Sequence, residues 1–458
     1  MNSKLIPILF VFVSHFAQAQ IPNTLTAADK VYGLSKFWQE VNYNFIYLNR
    51  VDRKAWDSLY RAYIPLVQET KNDYAYFRAM ERFCAFLKDG HTNVWYPKNV
   101  QDKVMNTMFG DYRLFIKNIE GRAIITHVNV SKKDEIAIGS EVIEVNGLAT
   151  KDYVNQFVKP YISSSTDYVL DDLAIGQLLQ GLEGETFSIK LKTPKGEVKT
   201  LTLMHKLTTE METFPARQEF ALLEFKWLEN QIAYVALNSF DDTKINKDFE
   251  AKLSELYKAK GLIIDLRKNG GGNTGVGTDI LKYLTTDTVL QRAKYQTREH
   301  LPSFKAWGIQ VTPKDTVNND WQTRCYLYNH DQKYYTFPYE PDTIHLKDKR
   351  IVVPTTVLIG HNTASAAEDF LISADNQAHF TKIGENSFGS TGQPFKFDLV
   401  GGGIARICTK KDTYPDGREF VGFGVKPDIR VVESVADYLA NRDRTVEKAV
   451  EVLKGKMK

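Results

Sequence analysis

The stretch "GLIIDLRKNGGGNTGVGTDILKYL", residues 261–284, joins an apolar strand to a helix through a loop of glycines. The run at residues 261–266 is short, continuous and rich in isoleucine and leucine, which is typical of a strand buried on both faces. The same order of apolar strand and helix occurs at residues 231–260 and again at residues 351–376. Strands that alternate with helices in this way predict a mainly parallel or mixed sheet with helices covering its faces.

The chain divides by its residue patterns on either side of these units. Residues 1–19 have the positive, apolar and small-residue order of a secretory signal peptide, which predicts export across the inner membrane. Residues 20–100 show helical spacing of apolar residues and predict a helical N-terminal domain. Residues 101–210 contain two hairpin patterns and predict a β-rich domain. The α/β core then occupies residues 211–458, with residues 291–347 as an insertion or lid.

Composition excludes several classes of partner. A formal charge of +3 on 458 residues is too small to indicate binding to nucleic acid or to an anionic membrane surface. No segment after the predicted signal peptide approaches the length of apolar sequence that membrane insertion needs. The three cysteines form no CxxC pair, so that neither a zinc site nor a disulfide framework is indicated. The sequence does not predict the oligomeric state.

Ser365 has two interpretations from its position between an apolar run and a helical pattern. In the structural one, Ser365 or Thr363 caps the helix, and Glu368 reaches back to complete a capping box. In the chemical one, Ser365 is a nucleophile at the carboxyl end of a strand, where ligands of α/β sheets collect. A serine hydroxyl needs a positioned base to act as a nucleophile at neutral pH.

The glycine loop also allows more than one interpretation. Gly270, Gly272 and Gly275 satisfy the GxGxxG pattern of dinucleotide-binding proteins. Three residues separate the strand from the first glycine, however, whereas the dinucleotide pattern requires a tight turn directly after the strand. A structural turn is the second interpretation. The third is that the N–H groups of Gly271 or Gly272, together with that of Ala366, stabilise an oxyanion.

Histidines are the first candidates for the base. His91 lies in a loop just after a predicted helix, and His361 lies four residues before Ser365. His127 and His205 lie in predicted strands and are interpreted as packing or surface residues. Spacing alone does not choose between the first two.

Four stretches, in the order "GLIIDLRKNGGGN", "TASAAEDF", "KIGENSFGSTGQ" and "DGREFVGFGVKPDI", resemble the C-terminal-processing (tail-specific) serine peptidase family. The stretch "IAIGSEVIEVNG" is similar to the signature strand of a PDZ domain, and "LKDGHTNV" resembles the tricorn-like branch of the family. The resemblance implies an α/β fold, a ClpP/crotonase-like mixed-sheet peptidase core with a helical N-terminal domain and an inserted PDZ-like β-rich domain. It also implies a polypeptide substrate and a reaction that uses neither a cofactor nor a metal.

The resemblance also bears on the choice of base. The processing branch of the family uses a Ser–Lys dyad, but the position of that lysine is occupied here by Ser390, with Lys382 and Lys396 flanking the motif. The tricorn-like branch uses the histidine of a D-G-H motif instead. By this likeness, His91 is the general base for Ser365.

The tricorn-like branch orients its histidine with a carboxylate close to the C-terminal "GVKPDI" motif. Glu419 is the best match here and Asp416 is the second choice. A carboxylate in this position would hold the imidazole in the correct tautomer and stabilise its charged form. The overall expectation is a secreted or periplasmic serine endopeptidase that forms an acyl-enzyme. The alternative is a non-catalytic binder of apolar ligands or peptides on the same fold.

Overall fold

The computed structural model describes residues 22–457, so that the predicted signal peptide at residues 1–19 lies outside the described residues. The first part of the chain is helical, and side-chain caps begin its helices, such as Asn72 accepting the N–H of Ala75 at 2.9 Å. Its elements are α1 (Ala27–Asn44), α2 (Arg53–Gln68), α3 (Asp73–Ala85), β1 (Asn93–Trp95) and α4 (Lys98–Gln101).

The second part is β-rich and has its own hydrophobic cluster. Its main sheet has the strand order β10-β9-β6-β5-β4-β3, with β7 paired to β6 and β11 paired to β5. The elements are β2 (Val104–Met105), β3 (Met108–Phe109), β4 (Tyr112–Ile119), β5 (Arg122–Asn129), β6 (Glu141–Val145), β7 (Leu148–Ala149), α5 (Thr150–Tyr153), α6 (Asp167–Gly176), β8 (Gly181–Leu182), β9 (Thr186–Lys192), β10 (Val198–Met204) and β11 (Thr213–Phe214).

The third part is the α/β core, which contains the insertion predicted at residues 291–347. Before and within that insertion lie β12 (Leu223–Leu228), β13 (Ile232–Leu237), α7 (Lys244–Glu250), α8 (Leu253–Leu256), β14 (Gly261–Asp265), α9 (Thr274–Leu281), β15 (Val289–Leu290), β16 (Lys294–Arg298), α10 (Pro302–Trp307), α11 (Asp320–Asn329), β17 (Tyr334–Thr336) and β18 (Asp342–Thr343). After it follow β19 (Thr355–Ile359), α12 (Ala366–Ser373), β20 (Phe380–Gly384), β21 (Pro394–Asp398), β22 (Ile404–Cys408), β23 (Lys411–Thr413), β24 (Ile429–Arg430), α13 (Val435–Leu439) and α14 (Arg444–Lys456).

A six-stranded sheet forms the centre of the core, in the order β12-β13-β14-β19-β20-β24. Only the β12–β13 pair is antiparallel, and every residue of β13, β14 and β19 is buried. This mixed sheet confirms the predicted α/β core with a helical N-terminal region. Because β14 and β19 are parallel neighbours, the loops that follow them lie at the same edge of the sheet.

The helical part is joined closely to the core. Strand β1 pairs with β22 of a separate three-stranded sheet, and the apolar side chains of α1 to α3 belong to the same hydrophobic cluster as those of β13, β14 and β19. The insertion makes a second bridge, because Arg298 donates to the carbonyls of Asn42 and Tyr43. Within residues 22–457, none of the helices has both the length and the apolar character needed to span a bilayer.

Candidate active site

Ser365 lies at a sharp turn between strand β19 and helix α12, one residue before the helix begins. Its backbone has φ 54° and ψ −119°, a combination that residues with a β-carbon rarely adopt. Such a conformation costs about 1–3 kcal/mol and persists only where the surrounding structure holds it. A strained strand-to-helix turn is also the arrangement that presents a nucleophilic hydroxyl at the edge of an α/β sheet.

The glycine loop after β14 contacts Ser365 directly. A β-carbon at Gly271 would lie 2.7 Å from Cβ of Ser365 and 3.1 Å from the backbone nitrogen of Ala366, which is too close for any side chain. The φ angle of Gly271, 106°, also lies in a region that favours glycine. Gly271 therefore allows the loop to approach the start of α12 at backbone distance.

Asn269 fixes the conformation of this loop, and it is fully buried. Its Oδ1 accepts the N–H of Gly271 at 2.9 Å, and its Nδ2 donates to the carbonyl of Leu237 at 2.9 Å. Its own carbonyl accepts the N–H of Ala364 at 3.0 Å. One buried residue thus joins the end of β13 to the segments that follow β14 and β19. The sequence pattern gives no signal for this role.

The bond to Asn269 corrects the predicted oxyanion donors, because it occupies the one N–H group of Gly271. Of the three predicted oxyanion donors, the N–H groups of Gly272 and Ala366 remain candidates. Within residues 22–457, neither of their N–H groups donates to a backbone or side-chain acceptor. The N–H of Ala366 lies in the first turn of α12, where free amides and the helix dipole favour negative charge.

His91 belongs to the loop between α3 and β1, and the pairing of β1 with β22 brings this loop to the core. The residue is 8% exposed, and its Nδ1 lies 2.7 Å from Oγ of Ser390. Burial and the nearby positive charges of Arg406 and Lys410 lower the pKa of His91 to about 3. The imidazole is therefore neutral at neutral pH, and Nε2 is the ring nitrogen that Ser390 does not engage.

The carboxyl group of Glu368 connects the two halves of the site. It is fully buried and accepts the N–H of Ser365 at 3.1 Å, of Gly389 at 2.7 Å and of Ser390 at 3.3 Å. The hydroxyl of Ser387 donates to it at 2.5 Å. Burial raises the pKa of Glu368 to about 8, while these hydrogen bonds favour the ionised form. Glu368 thus ties Ser365 to Ser390, whose hydroxyl contacts the histidine.

Glu419, predicted to orient the histidine, lies elsewhere. Its carboxylate is 41% exposed and bonds to Lys411 and, at 2.9 Å, to Arg50; these two cations, Lys411 foremost, lower its pKa. Asp416, the second choice, is exposed and bonds to Arg418 at 2.7 Å. Neither carboxylate has a hydrogen bond to the imidazole among the described residues. The expectation for both is corrected, because each is paired with cations at the surface.

The alternative bases, Lys382, Lys396 and His361, have no hydrogen bond to Glu368 or to the groups that bind it among the described residues. Nζ of Lys382 is 3.3 Å from Asp375, and Lys396 is exposed on β21. His361 follows β19, and its Nδ1 lies 2.6 Å from the carboxylate of Asp172 on α6. In the part of the chain that the structure describes, no group of three or more histidine, cysteine or acidic side chains is arranged to hold a metal.

One segment of the β-rich part contacts both loops of the site. Oγ of Ser165 accepts the N–H of Gly90, next to His91, at 2.9 Å. The hydroxyl of Tyr168 donates to the carbonyl of Ser387 at 2.6 Å, and that of Thr166 donates to the carbonyl of Phe388 at 3.3 Å. The β-rich part is therefore bonded both to the loop of His91 and to the loop that carries Ser390.

In a comparison with protein families, residues 231–431 match Peptidase family S41. The carboxyl-terminal-processing protease of Synechocystis sp. is 24% identical over 297 residues, which are 60% of this chain and 59% of the relative. The carboxy-terminal processing protease CtpB of Bacillus subtilis is 24% identical over 255 residues, 55% of this chain and 44% of the relative. The chain thus spans about half the length of these relatives. These matches confirm the resemblance to the C-terminal-processing peptidases.

Solved structures support the fold. The structure of mature CPAF complexed with lactacystin superposes with a TM-score of 0.67, covering 93% of this chain and 98% of that chain, at 14% sequence identity. A putative peptidase from Parabacteroides merdae gives a TM-score of 0.51 at 16% identity, covering 94% of this chain. At such low identity, these structures establish the architecture and leave the roles of individual side chains to the geometry of this chain.

The contact between Gly271 and Ser365 generates a first prediction. The substitution Gly271→Ala puts a methyl group against Cβ of Ser365 and forces a β-carbon into φ 106°. We expect it to displace Ser365 and to slow labelling of this serine by a fluorophosphonate about 100-fold, as small misplacements of reacting groups do. The matched control is Gly270→Ala, because nothing lies within 4 Å of a β-carbon at that position. The labelling rates are followed by mass spectrometry. Equal rates for Gly271→Ala and the wild type would contradict the close approach of Gly271 to Ser365.

The pair formed by His361 and Asp172 generates a second prediction, on pH. Burial lowers the pKa of His361, but the hydrogen bond and charge of Asp172 outweigh burial, so that the net pKa is raised. A raised histidine pKa adds stability that is complete below about pH 6.5 and is lost as pH rises through the folded-state pKa. We therefore expect Asp172→Asn to lower the melting temperature most near pH 6 and least above pH 8. Thermal melts of the wild type and the variant between pH 6 and pH 8 test this prediction. A difference in melting temperature that grows with pH would refute it.

Proposed function

We propose that this chain, whose residues 231–431 form a peptidase family S41 domain, is a serine endopeptidase that hydrolyses peptide bonds in unfolded or C-terminally exposed polypeptides. The observation that carries the proposal is the buried carboxyl group of Glu368. It binds the backbone of Ser365, which sits in a strained turn, and the backbone of Ser390, whose hydroxyl holds the one histidine of the site. Ser365 and the loop that positions His91 are thereby tied to one buried carboxyl group, and a serine is activated by a base that is held within hydrogen-bond reach of it.

The proposed reaction begins with attack of Ser365 Oγ on a peptide carbonyl carbon, while Nε2 of His91 accepts the hydroxyl proton. The carbonyl oxygen becomes an oxyanion, which the N–H groups of Gly272 and Ala366 stabilise; each such donor contributes roughly 3 kcal/mol in the transition state. His91 then gives its proton to the leaving amine. Water, deprotonated by the same imidazole, attacks the acyl-enzyme and releases the second product.

The electrostatics of His91 support the role of base. Because burial and two nearby cations lower its pKa, the free protein holds this imidazole unprotonated throughout the neutral range. A neutral imidazole is the form that accepts a proton. The same environment disfavours the imidazolium that forms during the reaction, which opposes proton uptake from Ser365 and favours transfer of the proton to the leaving group.

We further propose that the β-rich part, residues 101–210, is a PDZ-like domain that receives an extended polypeptide or gates the site. Strand addition and capture of a terminal carboxylate are the usual ways in which such domains bind peptides. Its bonds to the loops of His91 and Ser390 support an influence on the site. In the same proposal, residues 20–100 are a helical domain, and residues 211–458 are the peptidase core, in which residues 291–347 are an insertion or lid.

Export is also part of the proposal. Residues 1–19 have the pattern of a signal peptide, and the mature chain would begin at Gln20 in the periplasm or outside the cell. An unfolded or C-terminally exposed polypeptide in that compartment is the substrate class we propose. No cofactor and no metal take part in the proposed reaction.

The direct test is digestion of reduced, unfolded casein by the purified protein, with products identified by mass spectrometry. We expect cleavage by the wild type and a loss of at least about 10⁴-fold in both Ser365→Ala and His91→Ala, as when a nucleophile or its base is removed from other serine peptidases. The matched control is His379→Ala, because this histidine lies in the core just before β20, and its Nε2 is 2.9 Å from the carbonyl of Leu284. It is expected to cleave at the wild-type rate.

Two outcomes would overturn parts of the proposal. Cleavage that survives His91→Ala but not Ser365→Ala would move the role of base to Lys382, Lys396 or His361. Absence of cleavage by the wild type, together with no labelling of Ser365 by a fluorophosphonate, would favour the alternative function, a non-catalytic binder of apolar ligands or peptides.

A further inference from the structure

Ser390 is the one side chain that hydrogen-bonds the ring of His91 among the described residues, at 2.7 Å from Nδ1 to Oγ. Ser390 is fully buried, so that bulk solvent does not reach its hydroxyl. In a Ser–His–acid triad the partner of Nδ1 is a carboxylate, which fixes the tautomer and orientation of the ring. Here the partner is a neutral hydroxyl.

The acidic groups of the histidine loop and of the Ser365 turn, Asp89 and Glu368, have hydrogen-bond partners other than His91. Asp89, on the same loop, accepts from Thr92 at 2.6 Å and from Ser165 at 3.3 Å. Glu368 accepts four hydrogen bonds, none of them from the imidazole. The charged groups that act on His91 from the neighbouring strands are the cations of Arg406 and Lys410. The ring therefore has no anionic partner.

The position of Ser390 is itself fixed by its surroundings. Its N–H donates to Glu368 at 3.3 Å, and the preceding N–H, of Gly389, donates to the same carboxyl group at 2.7 Å. On the other side, a β-carbon at Gly90 would lie only 3.2 Å from Cβ and Oγ of Ser390, so that the absence of a side chain at Gly90 leaves room for the hydroxyl. Ser390 is thus held between the backbone of the histidine loop and Glu368.

We propose that Ser390 is the positioning residue for His91, and that its hydroxyl oxygen takes the place of the triad carboxylate by accepting a hydrogen bond from Nδ1–H, which leaves Nε2 unprotonated and free to act as base. The inference rests on the proposed function for its kinetic consequences. Its structural content, the tautomer and orientation of His91, is independent of whether peptide is cleaved.

Two physical consequences follow from a hydroxyl in this place. A hydroxyl orients the ring but adds no negative charge to offset the cations of Arg406 and Lys410, of which Lys410 is paired with the buried Asp412 at 2.9 Å. The acid limb of the pH profile, which reports the protonation of His91 in the free enzyme, is then expected at unusually low pH. A carboxylate introduced at position 390 would favour the imidazolium and move this limb upward.

The experiment compares the wild type with Ser390→Ala, Ser390→Asp and the control Ser373→Ala. Ser373 is a buried serine on α12, and it has no hydrogen bond to the ring of His91 in the part of the chain that the structure describes. Rates on a fluorogenic peptide are measured from pH 3 to 9. We expect Ser390→Ala to lower kcat at least about tenfold with little change in KM, because the base is no longer oriented. We expect Ser390→Asp to move the acid limb upward by about one pH unit or more, as a nearby opposite charge does. Ser373→Ala should match the wild type in both respects.

A second measurement does not depend on activity or on the folding of the aspartate variant. In Ser365→Ala protein labelled with ¹⁵N-histidine, we expect the His91 signal to show a protonated Nδ1 and an unprotonated Nε2. Adding Ser390→Ala should convert it to a mixture of tautomers. An unchanged tautomer, or a Ser390→Ala enzyme with wild-type kcat and pH profile, would overturn the inference. Absence of cleavage by the wild type would instead refute the proposed function, and the ¹⁵N spectrum would still decide the role of Ser390.

Discussion

The buried carboxyl group of Glu368 is the constraint on which the arrangement of the site depends. Three backbone N–H groups and one hydroxyl converge on it, and they come from the start of α12 and from the loop at residues 387–390. Burying a carboxyl group without such partners would cost several kcal/mol. If these donors separated, the carboxyl group of Glu368 would either be exposed to solvent or stay buried without hydrogen-bond partners. Its hydrogen bond to Ser365 therefore helps to keep this residue in a backbone conformation that a serine rarely adopts.

A second constraint acts at the other face of Ser365. The parallel pairing of β14 with β19 places the glycine loop beside the turn of Ser365. The buried Asn269 makes hydrogen bonds to the end of β13, within the glycine loop and to the segment that follows β19. The turn is thus held by Asn269 on the side of the glycines and by Glu368 on the side of the histidine. Rigid elements on both sides are what a site requires if its reacting groups are to stay within a fraction of an ångström of a productive geometry.

The sequence predicts the parts of this site that depend on local patterns. Continuous apolar runs such as residues 261–266 are recognisable as buried strands, and the sheet that they form places the glycine loop and Ser365 together by topology alone. His91 is found only through a family likeness, because its approach to the core depends on the pairing of β1 with β22, far apart in the chain. No local pattern encodes that pairing.

The incorrect predictions also arise from contacts between segments that are distant in the sequence or from side-chain contacts that no local pattern encodes. Glu419 matches a motif, but Arg50, from the helical part, binds its carboxylate at the surface, and a contact between such distant segments is not visible in sequence. Gly271 carries an N–H of the right kind, but the side chain of Asn269 occupies it. Ser390 is noticed in the sequence only as the absence of a lysine, although the hydroxyl that replaces the lysine is what contacts the histidine.

The β-rich part is hydrogen-bonded to the loop of His91 and to the loop at residues 387–390. Ser165 bonds to the backbone of Gly90, beside His91, whereas Tyr168 bonds to the carbonyl of Ser387, whose hydroxyl donates to Glu368. A displacement of the segment that carries Ser165 and Tyr168 relative to the core breaks hydrogen bonds on both loops at once. Because the two loops meet through the contact of Ser390 with the histidine, the β-rich part is linked to the ring of His91 by a short series of hydrogen bonds that starts from both loops.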